Sequence, residues 1–131
     1  MIKIIYMLFI IAIGSMLTVA SANDSFMVTS IKDAKILSES TNRSILLIFG
    51  ADYCKYCNQL KSDLFISPLK ELTDRYIICC IDLEKKPKMK SEYNVSTIPD
   101  SRILKNNNQI SKIKGYSPKS YQNWIKSNKP D

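Results

Sequence analysis

The chain has 131 residues, yet it contains no histidine and only four cysteines. Without histidine the commonest metal ligand is missing. Four cysteines are also too few for a small scaffold held together by many disulfides. No repeat, low-complexity segment or internal linker breaks the sequence, so its length allows one domain. Past the first residues, no apolar run reaches the roughly 20 positions that a membrane helix needs. An arginine-rich or aromatic-interleaved stripe is lacking too. The net charge of +7 comes from scattered lysines, densest at Lys85, Lys86, Lys88 and Lys90. This pattern argues against nucleic acid as a partner and describes a solvated face. Its sign favours acidic partners or anionic membrane surfaces.

What the chain does have begins at its N-terminus. Met1-Ile2-Lys3 is a short basic start, Ile4 to Val19 is almost entirely apolar, and Ala20-Ser21-Ala22 supplies a small-x-small pattern. These features predict a signal peptide over residues 1–22, cleaved after Ala22, and a mature domain over 23–131. The protein is then expected in the periplasm or secreted. An uncleaved membrane anchor is the competing reading, although the apolar run is short for one. Cleavage removes only Lys3 among the charges and leaves a net +6.

The centre of the sequence is Cys54-Lys55-Tyr56-Cys57, placed where an apolar run gives way to a helical pattern. Two cysteines three apart at a helix start share one face, with Cβ atoms roughly 5–6 Å apart. A disulfide needs a Cα separation of about 4.4–6.8 Å, so the pair can close. The amides of a helix N-terminus favour negative charge and stabilise the thiolate of Cys54, the expected nucleophile. Lys55 adds a cation beside it, while Asp52 acts in the opposite sense. Cys57, one turn on and more buried, is the expected resolving thiol. A purely structural bridge of this kind would close a very small loop and gain little stability. The other two thiols, Cys79 and Cys80, are adjacent in an apolar run. In a strand they point to opposite faces, so they neither pair with each other nor complete a tetrahedral metal site. No metal is expected.

Periodicity places the remaining elements. A helix with a narrow apolar face (Ile31, Ala34, Leu37) runs from about Thr29 to Ser40, and Thr41-Asn42-Arg43 ends it. Ser44 to Phe49 reads as a strand buried on both sides. Gly50 to Tyr53 leads into the CxxC helix, which turns Leu60, Leu64 and Phe65 inward and stops near Ser67-Pro68. Leu69 to Arg75 is a short helical turn, Tyr76 to Leu83 a second buried strand, and Met89 to Tyr93 a short helix. Arg102–Leu104 and Gln109–Lys114 flank an asparagine-built turn and predict a hairpin. Ser117-Pro118 opens a last helix with an N-cap and a proline in its first turn, burying Tyr121, Trp124 and Ile125. The order predicts an α/β fold with a mixed central sheet and helices on both faces.

With that order in place the chain resembles the thioredoxin superfamily over nearly all of residues 23–131. The residues that carry the likeness are Leu46 to Cys57, then Tyr93-Asn94-Val95-Ser96-Thr97-Ile98-Pro99, then Gly115. Ala51-Asp52-Tyr53-Cys54 and Leu64-Phe65-Ile66-Ser67-Pro68 are similar to one branch of it. That branch holds exported thioredoxin-like proteins and the C-terminal periplasmic domain of the membrane thiol reductase DsbD.

The resemblance implies a thioredoxin-like fold and an exported thiol–disulfide oxidoreductase that reduces protein disulfides. Cys54 and Cys57 would be its catalytic residues, and Pro99 would be a cis-proline opposite them. The backbone of Ile98 would pair with an extended substrate. Tyr53 and Tyr56 flank the sulfurs, either as an apolar contact surface or as helix-start aromatics half covering the core edge. No dissociable cofactor is implied, because the cysteine pair carries both electrons. Expected partners are protein thiols and disulfides and a membrane thiol electron donor, with the protein itself a monomer. Two positions depart from the family's pattern: Ile48 stands where many members carry a buried acid, and Asp100 follows Pro99. The missing acid favours a rival reading, a redox-inactive binding module; a disulfide oxidase or isomerase is the alternative within the enzyme class.

Overall fold

The computed structural model describes residues 27–128; the signal-peptide reading of 1–22 lies outside them. Ten elements follow in order: β1 (Met27–Val28), α1 (Ile31–Thr41), β2 (Ile45–Gly50), α2 (Lys55–Asp63), α3 (Leu69–Thr73), β3 (Ile77–Asp82), α4 (Lys88–Glu92), β4 (Asp100–Lys105), β5 (Asn108–Lys114) and α5 (Pro118–Ser127). The strands form one sheet in the order β1-β3-β2-β4-β5. β1 and β2 run parallel to β3, whereas β4 runs antiparallel to both β2 and β5. The expected thioredoxin-like α/β fold with a mixed sheet is what forms.

Strand β2 lies at the centre and every residue in it is buried. Its side chains alternate between faces, as the pleat requires. Leu46 and Ile48 join Leu60, Leu64, Leu69, Tyr121 and Ile125 in a core beneath α2, α3 and α5. Ile45, Leu47 and Phe49 join Ala34 of α1 and the partly buried Met89 of α4 on the other side. Cys79 and Cys80 part in the same way, one to each core, so their expected separation holds.

Local chemistry sets the element boundaries. The Ser30 hydroxyl accepts from the Asp33 amide at the start of α1, and Asn42 ends that helix at a left-handed φ of 56°. The β4–β5 turn is Asn106-Asn107, with φ values of 51° and 65°. Asparagine tolerates that region, and two such residues are what a tight hairpin with a matching twist requires. Pro118 occupies the first turn of α5 as expected, but the Ser117 hydroxyl makes no bond to the helix backbone.

Two sequence-based placements differ from what forms, and one strand leaves no signal in the sequence. Phe65 is 66% exposed rather than buried. Helix α2 ends at Asp63, and the Phe65 amide bonds to the Ser62 carbonyl, a tighter turn that takes Phe65 off the apolar stripe. Strand β4 begins at Asp100, two residues earlier than the apolar pattern indicates, because Asp100 and Ser101 are polar yet buried. β1 is a two-residue edge strand, too short to leave a periodic signal.

Candidate active site

Strand β2 delivers the chain to the site, and Gly50 is its last residue. A Cβ at position 50 would meet Cys57 Sγ at 3.2 Å and Cys57 Cβ at 3.3 Å, so any larger residue there would press on the second cysteine. Cys57 cannot readily retreat, since it is held both by helix α2 and by its partner sulfur. Gly50→Ala is therefore expected to cost about 1–3 kcal/mol of stability through overpacking. A urea titration of the oxidised protein would show it as a lower midpoint.

Cys54 is the N-cap of α2, and the pair is closed as a disulfide with the Cα atoms 5.2 Å apart. The Cys57 amide donates to Cys54 Sγ at 3.2 Å, and the Asn58 amide to the Cys54 carbonyl at 3.1 Å. Negative charge on Cys54 would thus meet a backbone N–H already pointed at it, at the helix end that favours anions. The two sulfurs are not equivalent. Cys54 is partly exposed while Cys57 is only 1% exposed. An incoming disulfide can reach Cys54 but not Cys57.

Opposite the pair, the Ile98–Pro99 peptide bond is cis, and the Ile98 carbonyl oxygen lies 3.9 Å from Cys54 Sγ. Pro99 is buried and Ile98 half-buried. Beside them runs a groove of about 300 Å³, bounded by Tyr53, Ala51, Leu83, Val95 and Ile98, with Glu84 and Lys90 at its polar side. Tyr53 is 78% exposed. Cys54, Cys57, Tyr53, Ile98 and Pro99 thus come together at one end of the sheet. Tyr56 is an exposed residue of the first turn of α2 and does not line that groove.

The position six residues before Cys54 is filled by Ile48, buried under α2 and in register with Cys80 of β3. Burial raises the Cys80 thiol above its ordinary value. Cys79 is pushed from 9.0 up to about 12, first by burial and then by Cys80. Both thiols are therefore protonated at neutral pH. Alkylation of the reduced protein by iodoacetamide at pH 8 is expected to label Cys54 and to spare Cys79 until the chain is denatured. Mass spectrometry of the peptides would check this. The same shift has a sign for stability: a thiol whose folded pKa lies above its unfolded one stabilises fully below about pH 9. That contribution is lost as the pH climbs from 9 toward 12.

Asp100, Arg102 and Lys112 form a largely buried charged group that the apolar pattern of the sequence does not mark as a unit. Asp100, directly after Pro99, is fully buried and accepts from Arg102 Nε at 3.0 Å and Nη2 at 3.2 Å. Lys112 of β5 approaches it at 3.3 Å. The signal was present in the spacing, because residues two apart in a strand share a face. Among the described residues no cluster of three or more His, Cys, Asp or Glu could hold a metal.

A mixed five-stranded sheet, a disulfide capping a helix and the Ile98 carbonyl facing the outer sulfur mark the class as thioredoxin-like. Residues 26–127 match the family model described as thioredoxin, and the chain belongs to that family. It is 29% identical over 102 residues to a thioredoxin of Rickettsia typhi, covering 76% of this chain and 96% of that protein. A thioredoxin of Rickettsia prowazekii is 28% identical over the same extent. Among solved structures, a thioredoxin from Thermus thermophilus superposes with a TM-score of 0.67 at 16% identity, covering 80% of this chain and 88% of that one. A Fasciola hepatica thioredoxin gives 0.65 at 17% identity, covering 79% and 99%. At those identities the structural likeness speaks for the fold alone.

Proposed function

We propose that the protein is an exported thiol–disulfide oxidoreductase that works in the reducing direction on protein disulfides. The observation that carries this reading is the asymmetric pair at the start of α2, with Cys54 within reach of solvent and Cys57 sealed behind it. In the reduced protein the Cys54 thiolate attacks one sulfur of a substrate disulfide, and the first substrate thiolate leaves and takes up a proton. Cys57 then loses its proton and attacks Cys54 Sγ. The second substrate thiol departs, and the Cys54–Cys57 disulfide remains. Two electrons have moved from the pair to the substrate, and no dissociable cofactor takes part. The carbonyl of Ile98 and the groove beside it would receive an extended substrate segment by strand-like pairing.

The reducing direction rests on Ile98 before the proline and on the likeness of Ala51 to Cys54 and Leu64 to Pro68 to the C-terminal domain of DsbD. Export rests on the signal-like residues 1–22. A reductase outside the cytoplasm needs a membrane thiol donor to re-reduce it, and the protein would serve as a monomer. The direct test is catalysis of insulin reduction by dithiothreitol, and the N-terminal sequence of the processed protein should begin at Asn23. A second reading, a binding module that no longer turns over, is favoured by Ile48 in place of the buried acid. Such a module would bind its partner equally well with Cys54 and Cys57 both changed to serine, and would not speed insulin reduction.

A further inference from the structure

The segment that presents Ile98 to Cys54 leaves α4 at Tyr93 and enters β4 at Asp100. One guanidinium grips both ends of it. Arg102 donates through Nη2 to the Tyr93 carbonyl and through Nε and Nη2 to the two carboxylate oxygens of Asp100. Nη1 donates to Gln109 Oε1 at 3.3 Å, which ties the group to β5. The guanidinium also sits 5.2 Å from the Phe49 ring centre and 5.7 Å from that of Tyr93, so it cannot tilt freely. It is 5% exposed, and a forked, planar cation is the one side chain able to meet these acceptors together.

We propose that Arg102 is a positioning residue for substrate binding, a clamp that fixes the Asn94–Pro99 segment at its height over the disulfide. The inference rests on the redox reading above. Arg102 does not touch the sulfurs, so loss of the clamp should leave their chemistry alone. What changes is the edge to which a substrate backbone pairs. Displacements on the scale of 1 Å at such an edge cost up to about a hundredfold in rate.

The single variant Arg102→Met leaves a buried carboxylate with only the partly exposed Lys112, so the informative protein is the double variant Asp100→Leu with Arg102→Met. Apolar replacement of a whole buried pair is commonly tolerated, and Lys112 is exposed enough to turn to solvent. Two measurements on it decide the matter. Hydrogen exchange should speed up by about tenfold or more at the Val95 amide, which bonds to the Lys90 carbonyl at 2.8 Å, and stay unchanged in β2. With insulin as substrate, KM should rise by about tenfold or more. The reduction potential of the pair should stay the same. Unchanged exchange at Val95, or an unchanged KM, overturns the proposal, as does a shifted potential. If the unmodified protein reduces no insulin, the redox reading falls, and exchange at Val95 alone then decides whether the clamp holds the segment.

Discussion

Cys57→Ser is expected to leave the protein covalently attached to its substrates. Cys54 can still attack a disulfide, because it is the exposed member of the pair and the helix N-terminus still stabilises its thiolate. The mixed disulfide then has no resolving thiol. Cys80 is not expected to substitute, since it packs, partly buried, against the core beneath α2, where burial raises its thiol above the ordinary value. Non-reducing electrophoresis should show adducts that disappear with dithiothreitol, and mass spectrometry should place every linkage on Cys54. Cys54→Ser should give no adducts and drop insulin reduction to the uncatalysed background. Adducts through Cys79 or Cys80 would contradict the account.

The largest loss of stability is expected from Arg102→Met. Asp100 is fully buried, and its remaining cation, Lys112, is partly exposed. Breaking a buried pair by removing one partner costs about 3–5 kcal/mol, and Lys112, 3.3 Å away but partly exposed, offsets only part of it. In a domain of this size that lowers Tm by about 12 °C or more. Asp100→Leu combined with Arg102→Met should recover most of the loss, since no orphaned charge is left. Thermal and urea unfolding of the two variants would separate these outcomes. Equal melting of the single and double variants would mean that the pair is not the buried unit described here.

Much of the fold could be read from the sequence because its signals were local and redundant. The unbroken apolar run at β2, the asparagines at 42, 106 and 107, and Pro118 each fix their surroundings with few alternatives. The site was legible for a related reason: two cysteines three apart, followed by Ile98-Pro99, are chemistry tied to short spacings. What escaped depends on tertiary context. Phe65 has the right character for a core but falls just past the last helical turn, where one residue of slip sends it outward. Asp100 and Arg102 look like surface residues singly, and only their mutual pairing makes burial tolerable. The role of Gly50 is set by a sulfur seven residues later, so its own neighbourhood in the chain gives no hint.

The reading of Cys54 and Cys57 as a reversible, reducing dithiol stands or falls on the reduction potential of the pair. The protein would be equilibrated in glutathione and dithiothreitol buffers and its free thiols trapped and counted. A single two-electron transition is expected near the value typical of thioredoxin, about −270 mV. A value close to −120 mV, that of a strong oxidant, or no two-thiol transition at all would contradict it.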